Sequence, residues 1–140
     1  MSILIGPMKL HLNGHKELTS HGEVKDIVAG KKVYIPLLPG TEILVKEGDA
    51  VKKGDMVAKR NDHFKVPIFS SVSGTYLGVE CLEHTTGRMV EHLVLENDGA
   101  FTFVQPFEPI DAEKASKEEL VEFMMNAGII GCGGAGFPSY

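Results

Sequence analysis

The chain has 140 residues, a formal charge of −5, sixteen glycines and no tryptophan, which admits one compact domain or a small domain and the opening of a second. Fourteen Lys and Arg against nineteen Asp and Glu, with no basic block, exclude a nucleic-acid partner held by its phosphates. Two cysteines without a C-x-x-C, Cys81 and Cys132, exclude an iron–sulfur cluster or Cys-rich zinc site supplied by this chain alone and predict a reducing, cytoplasmic setting.

The N-terminal run Met1–Pro7 has no basic segment ahead of its short apolar stretch, which argues against a signal peptide. No window is long enough to span a bilayer, so no membrane insertion is expected, while peripheral docking on a membrane complex stays open. Met8–Leu12 alternates apolar and polar residues and predicts a strand, followed by a turn at Asn13-Gly14. Gly14–Gly30 is polar, without periodicity, and reads as an arm or loop. His11, His15 and His21 fall there, but no carboxylate or Cys stands at ligand spacing, so no metal site is assigned. Lys32–Pro39 is β-rich and broken by Pro36, which cannot donate to a ladder and belongs at a sheet edge or a bend.

Val45–Val57 contains a six-residue repeat, VKEGDA then VKKGDM. Valines 45, 51 and 57 return to one apolar core, while Gly48-Asp49 and Gly54-Asp55 make the corners: Gly accepts positive φ and Asp bonds a nearby backbone N–H. The pattern predicts strand, tight turn, short crossing, tight turn, strand. Lys59–Lys65 (KRNDHFK) then reads as an exposed polar connection, and Ser73-Gly74-Thr75 turns the chain from Pro67–Val72 into a strand at Thr75–Val79. Cys81–Arg88 is expected as a loop, Met89–Glu96 as the returning strand, Asn97–Gly99 as a turn, and Ala100–Val104 as the end of the β module. His84 and His92 are placed to face each other across that loop, although a polar strand edge explains them more simply.

After the Pro-containing linker Pro106–Asp111 the apolar period changes from two to 3.6. Ser116 and Glu119 form a capping box, Leu120, Phe123, Met124 and Ala127 share one face, and Gly128 terminates, which predicts a helix over 117–127. Gly131–Pro138 (GCGGAGFP) follows. Closely spaced glycines let backbone N–H groups converge on an anion without Cβ obstruction, as phosphate-holding loops require.

The repeat and the segment closing on Ser73-Gly74-Thr75 resemble the barrel-sandwich hybrid of biotinyl and lipoyl carrier domains. The capped helix and GxGGAGFP loop, co-linear with it over about Val33–Pro138, resemble more closely the N-terminal region of RnfC-like electron-transport subunits, among them the proline-reductase-associated electron-transfer proteins of anaerobes. The resemblance implies a mainly β barrel-sandwich hybrid, with the helix and loop opening a truncated α/β flavin domain. It divides the chain into an arm (1–31), the hybrid (32–105), a linker (106–115) and the helix and loop (116–140). It further implies that the whole protein passes electrons between NADH, FMN and 4Fe–4S clusters, the clusters lying outside this chain, in company with other subunits of a reductase complex. Gly131, Gly133, Gly134 and Gly136 match the glycines that cradle the FMN phosphate in the complex I flavin subunit and its relatives. The chain departs from the family at Phe69, Ser70 and Ser71, where His, Ala and Pro are common, so that Phe69 is expected as core packing, and at Cys132, where a bulky aliphatic or basic residue is usual. Because it stops at Tyr140, it reads as an N-terminal piece that is inactive alone and binds neither FMN nor NADH appreciably.

Three other readings stay in view. Cys132, flanked by backbone amides, is a candidate redox thiol, against a small buried hydrophobe. A carrier would need a modified lysine, with Lys59 or Lys65 available, but neither has the flanks a ligase reads. A phosphotransfer-type adaptor would use an exposed His63 or His84.

Overall fold

The computed structural model describes residues 2–5, 8–11, 14–105, 107–131 and 136–140. Two short strands at the start, β1 (Ser2–Ile5) and β2 (Met8–His11), pair antiparallel as a hairpin of their own. The expected strand at Met8 therefore exists, and its partner β1 is an element that the residue pattern does not announce. Residues 14–30 form no regular structure beyond one 3-10 turn at Lys16–Leu18, and Val24, Ile27 and Val28 stand exposed. At the far end of the arm Ala29 packs against the core, and Asn97 Nδ2 donates to Gly30 O at 3.1 Å.

The body is two antiparallel sheets sharing one core. β3 (Lys32–Pro36), β9 (Met89–Asn97), β8 (Gly74–Glu83) and β5 (Ala50–Val51) make a four-stranded sheet in that spatial order. β4 (Glu42–Ile43), β6 (Met56–Lys59) and β7 (Pro67–Phe69) make a three-stranded one. Between them lie Leu37, Val51, Val57, Ala58, Val72, Tyr76, Leu93 and Leu95, with Val33, Ile35, Ile43, Val45 and Ile68 packed around. Full burial of a Val or Leu side chain contributes about 1.5–3 kcal/mol, so this cluster is what holds the sheets together. Pro36 ends the edge strand β3, as its missing N–H requires.

The hexapeptide repeat is repeated in its bonding as well. At the first corner Asp49 Oδ2 accepts Lys46 N–H at 2.8 Å, and at the second Asp55 Oδ2 accepts Lys52 N–H at 2.7 Å. Gly48 N–H donates to Tyr76 O while Tyr76 N–H donates to Asp49 O; Gly54 N–H donates to Ser70 O while Ser70 N–H donates to Asp55 O. Each corner is thus stitched to a different strand segment by the same pair of bonds. Ser70 is buried for that reason, its hydroxyl closing on Val72 O at 2.6 Å. Gly74 is required by contact: a Cβ there would lie 1.7 Å from Glu96 O.

Three expectations need correcting. Cys81, Leu82 and Glu83 belong to β8 and pair with Glu91, Val90 and Met89, so the hairpin loop is only 84–88. Ala100–Val104 is not a strand: Phe103 makes a single parallel bridge with Lys53, and Asp98 and Ser73 hold the segment through side-chain bonds to Ala100 N and Thr102 N. Phe69 does not lie in the core; it is half-buried near Gly128.

Candidate functional site

The helix α1 (Lys117–Asn126) starts where its capping box places it. Ser116 Oγ accepts Glu119 N–H at 3.2 Å, and Glu119 Oε2 accepts Ser116 N–H at 2.7 Å. The bond from the Ser116 backbone, then that from its side chain, hold the Glu119 carboxyl below its usual value. At the other end Gly128, at φ 65, takes the left-handed position, with Gly128 N–H on Met125 O and Ile129 N–H on Met124 O. No residue of α1 is fully buried; Phe123 meets Phe107 of the linker edge to face, ring centroids 5.3 Å apart.

From Gly128 the chain enters the glycine loop, and the described residues on either side close on each other. Ile130 bridges Pro138 antiparallel, Gly131 N–H donates to Phe137 O at 2.9 Å, and Ser139 N–H donates to Ile129 O at 3.1 Å. The closing residues therefore fold back on the entry to the loop and join neither sheet of the shell. Cys132, Gly133 and Gly134 lie outside the described residues. Of the other two assigned glycines, Gly131 has its N–H committed to this neck, whereas no described residue accepts from Gly136 N–H.

The neck rests on the shell at two places. A Cβ at Gly128 would come within 3.1 Å of Pro67 O and 3.5 Å of the Phe69 ring, so the helix terminus lies directly on β7. Beyond it, Phe137 meets Phe64 edge to face at 5.0 Å, and Tyr140 Oη donates to Phe64 O at 2.8 Å. The turn 60–66 that receives them is not the solvated connection its composition suggests. Asp62 organises it by accepting Phe64 N–H and Lys65 N–H and by pairing with Arg60, whose guanidinium lies over the Phe64 ring. Burial works to raise the Asp62 carboxyl, but Arg60 and the two N–H donors outweigh it and leave it below its usual value. Sequence reasoning does not reach Arg60, Phe64 and Tyr140; a lone aromatic inside KRNDHFK is the one signal that could have found them.

Between β3, β7 and the neck lies a groove of about 310 Å³, lined by Ile35, Pro36, Val66, Arg60, Gly128 and Gly136 among others. Arg60 is the one charged residue among the described residues lining it, and its Nε is buried without a hydrogen-bond partner. Apolar walls and one cation suit an anionic group carried on an apolar body. To that extent the described residues fit the phosphoryl end of a flavin nucleotide.

The alternative sites are placed as follows. Lys59 is half-buried at the end of the middle strand β6, backbone-paired to both Glu42 and Pro67. Lys65 is exposed in the braced turn at φ 50, and His63 is exposed beside it. The His84 and His92 rings do approach, with centroids 6.5 Å apart, near a second groove of about 500 Å³. Among the described residues no group of three His, Cys, Asp or Glu could hold a metal ion. Cys81 is exposed on β8, and no helix among the described residues is long and apolar enough to cross a membrane.

Comparison with known proteins converges on one family. The RnfC barrel-sandwich hybrid domain matches residues 8–100, about two-thirds of the chain. The chain is 38% identical over 120 residues to a subunit from the Na(+)-translocating ferredoxin:NAD(+) oxidoreductase complex of Acetobacterium woodii, covering 79% of this chain and 27% of that protein. It is 30% identical over 136 residues to a subunit from the ion-translocating oxidoreductase complex of Rhodobacter capsulatus, covering 93% and 26%. A proton-translocating counterpart from Clostridium ljungdahlii is 28% identical over 92% of this chain and 29% of its own. The chain thus spans between a quarter and a third of the length of these curated relatives.

Proposed function

The chain belongs to the RnfC barrel-sandwich hybrid domain family, and from that premise we propose that it is the N-terminal part of an electron-transfer subunit, in which the β shell serves as a docking and structural module. The observation that carries this is the seating of the helix terminus and loop neck on β7 and the 60–66 turn, through Gly128–Pro67, Phe137–Phe64 and Tyr140–Phe64. A shell built this way sets the position of the loop that follows it without any reacting group of its own. The names of the relatives, subunits of ferredoxin:NAD(+) oxidoreductase complexes, support the same reading.

In this reading 32–105 is the hybrid, 106–115 a linker, and 116–140 the opening of a flavin domain. The glycine loop, by its resemblance to the flavin-subunit loops, holds the FMN phosphate in the whole protein. FMN supplies the chemistry of taking a hydride from NADH and releasing single electrons to 4Fe–4S clusters outside this chain. The chain's own residues bind and orient: Asp62 fixes the turn, Phe64 seats the neck, and the Schellman bonds at Gly128 fix the direction in which the loop leaves the helix. The protein works among partner subunits, on the cytoplasmic side of a membrane complex. The residues 1–140 alone turn nothing over.

Two measurements test this. Deleting 32–105 from the whole protein is expected to abolish its assembly with the other subunits; unchanged assembly and electron transfer to ferredoxin would overturn the docking role. Intact mass of the chain separates the carrier class: a biotinyl or lipoyl adduct on Lys59 or Lys65 would replace this reading, and the unmodified mass is expected.

A further inference from the structure

The hairpin that joins β8 to β9 carries a cation that the fold leaves unpaired. Arg88 is exposed, and among the described residues no carboxylate pairs with its guanidinium. It lines a half-enclosed groove of about 500 Å³ between the hairpin tip and the segment 36–39. The polar lining, His84, Thr86 and Arg88, comes from the tip alone; neither Glu83 nor Glu91 takes part in it. The remainder is apolar, and Leu38 and Met89 keep 53% and 64% of their exposure. Both sides are held by backbone bonds. At the tip His84 N–H donates to Arg88 O and Gly87 N–H to His84 O, each at 2.8 Å; opposite, Leu37 N–H donates to Glu91 O at 2.8 Å and Thr41 N–H to Leu38 O at 3.0 Å. His84 Nδ1 accepts Thr86 N–H at 3.4 Å, which leaves the ring proton on Nε2, and no described residue accepts it. The neighbouring His92 ring is fixed in turn, buried and donating from Nδ1 to Val90 O at 2.8 Å. A groove held this way has little freedom to lose when a ligand arrives.

We propose that this groove binds a small monocarboxylate with an apolar body: the carboxylate meets the Arg88 guanidinium and the His84 Nε2–H, and the hydrocarbon lies over Pro36, Leu38 and Met89. The volume falls within the range of small-molecule pockets, and mostly apolar walls with a few polar groups are their usual chemistry. One cation and one neutral donor match a single negative charge, and the planar guanidinium fork matches two carboxylate oxygens. A phosphate dianion would bring more charge than these groups balance. An alcohol would leave the guanidinium unpaired, and a bare anion would leave the apolar walls uncovered. The groove shares Pro36 and Leu38 with the one beside the neck, but its polar groups all stand on the β8–β9 tip. It therefore works independently of the glycine loop and of the flavin reading.

The test uses the full 140-residue chain with ¹³C-labelled Leu and Met methyls and a ¹⁵N-labelled backbone, titrated at constant pH and ionic strength with hexanoate, hexanol, acetate and hexyl phosphate. Hexanoate is expected to shift the Leu38 and Met89 methyl resonances saturably. It should bind about tenfold more tightly than hexanol, which lacks the charge-assisted bonds, and about tenfold more tightly than acetate, which lacks the apolar body. Hexyl phosphate is expected to bind no more tightly than hexanoate. Arg88→Gln should remove the advantage of hexanoate over hexanol and leave hexanol binding unchanged. Because Arg88 is exposed and the bond from His84 N–H is to its backbone, the β8 and β9 amide resonances should stay in place and show that the variant is folded. Hexanol binding as tightly as hexanoate, hexanoate affinity unchanged in Arg88→Gln, or no saturable shift with any of the four overturns the proposal. Hexyl phosphate binding tenfold more tightly than hexanoate overturns the assignment to a carboxylate.

Discussion

The shell and the helix-and-loop unit are held by different physics, although one chain runs through both. In the shell, Val57, Leu93, Val94 and Leu95 have no exposed surface at all, and strands far apart in sequence share one core. In the C-terminal unit no residue of α1 is fully buried. That unit depends on bonds that close within a few residues, and on a handful of point contacts with β7 and the 60–66 turn. Apolar burial is collective, so the shell should open all at once, whereas local caps and single contacts allow the C-terminal unit to open alone.

Predictions that would break or sharpen this contrast run from large to small. Gly74→Ala places a Cβ against the Glu96 carbonyl, and we expect a loss on the order of 4 kcal/mol or more in denaturant unfolding, with both regions lost together. Leu95→Ala empties a fully buried site and should cost about 2–5 kcal/mol, again in one transition. Ser116→Ala removes the cap and should cost about 1 kcal/mol; amide exchange should quicken in α1 and stay unchanged in β8 and β9. Tyr140→Phe removes the bond to Phe64 O, worth about 0.5–1.5 kcal/mol, and should raise exchange only around the neck. Equal slowing or quickening in both regions for either of the last two variants would refute the separation.

Acid gives the smallest effect. The folded state holds the Glu119 carboxyl below its ordinary value through the Ser116 backbone and then its side chain. A lowered folded pKa means that the contribution is present above the unfolded value and is lost as pH falls through the folded one. Fraying of the first turn of α1 should therefore set in only as pH falls below the ordinary carboxylate range. Asp98, held down first by Ser73 and then by Ala100 N–H, titrates in the same direction but on the shell. Helix NMR signals should respond to that acidification before those of the shell core.

Much of this division is readable from residue types. The valines at 45, 51 and 57, the Gly-Asp corners and the Ser116–Glu119 box each state a local rule that the structure follows bond for bond, because the donor, acceptor and turn lie within a few positions. What composition cannot show are contacts chosen by the tertiary fold. KRNDHFK reads as polar, yet Phe64 becomes the seat for Phe137 and Tyr140 some seventy positions later. Arg60 reads as a surface charge and is nearly covered. Cys81 reads as part of a loop because Glu-His-Thr-Thr-Gly has turn composition, but cross-strand pairing carries β8 on through Glu83. Ala100–Val104 fails the other way: its alternation is right for a strand, but Phe101 adopts φ 52 and the pairing shrinks to a single bridge.

The four-stranded sheet has a consequence for how the molecule behaves at high concentration. One rim is β5, two residues long, and the other is β3, which finishes in a proline. Short rims and an imino acid offer a foreign strand almost no ladder to continue. At high concentration this sheet therefore gives a neighbouring chain little to pair with along either rim.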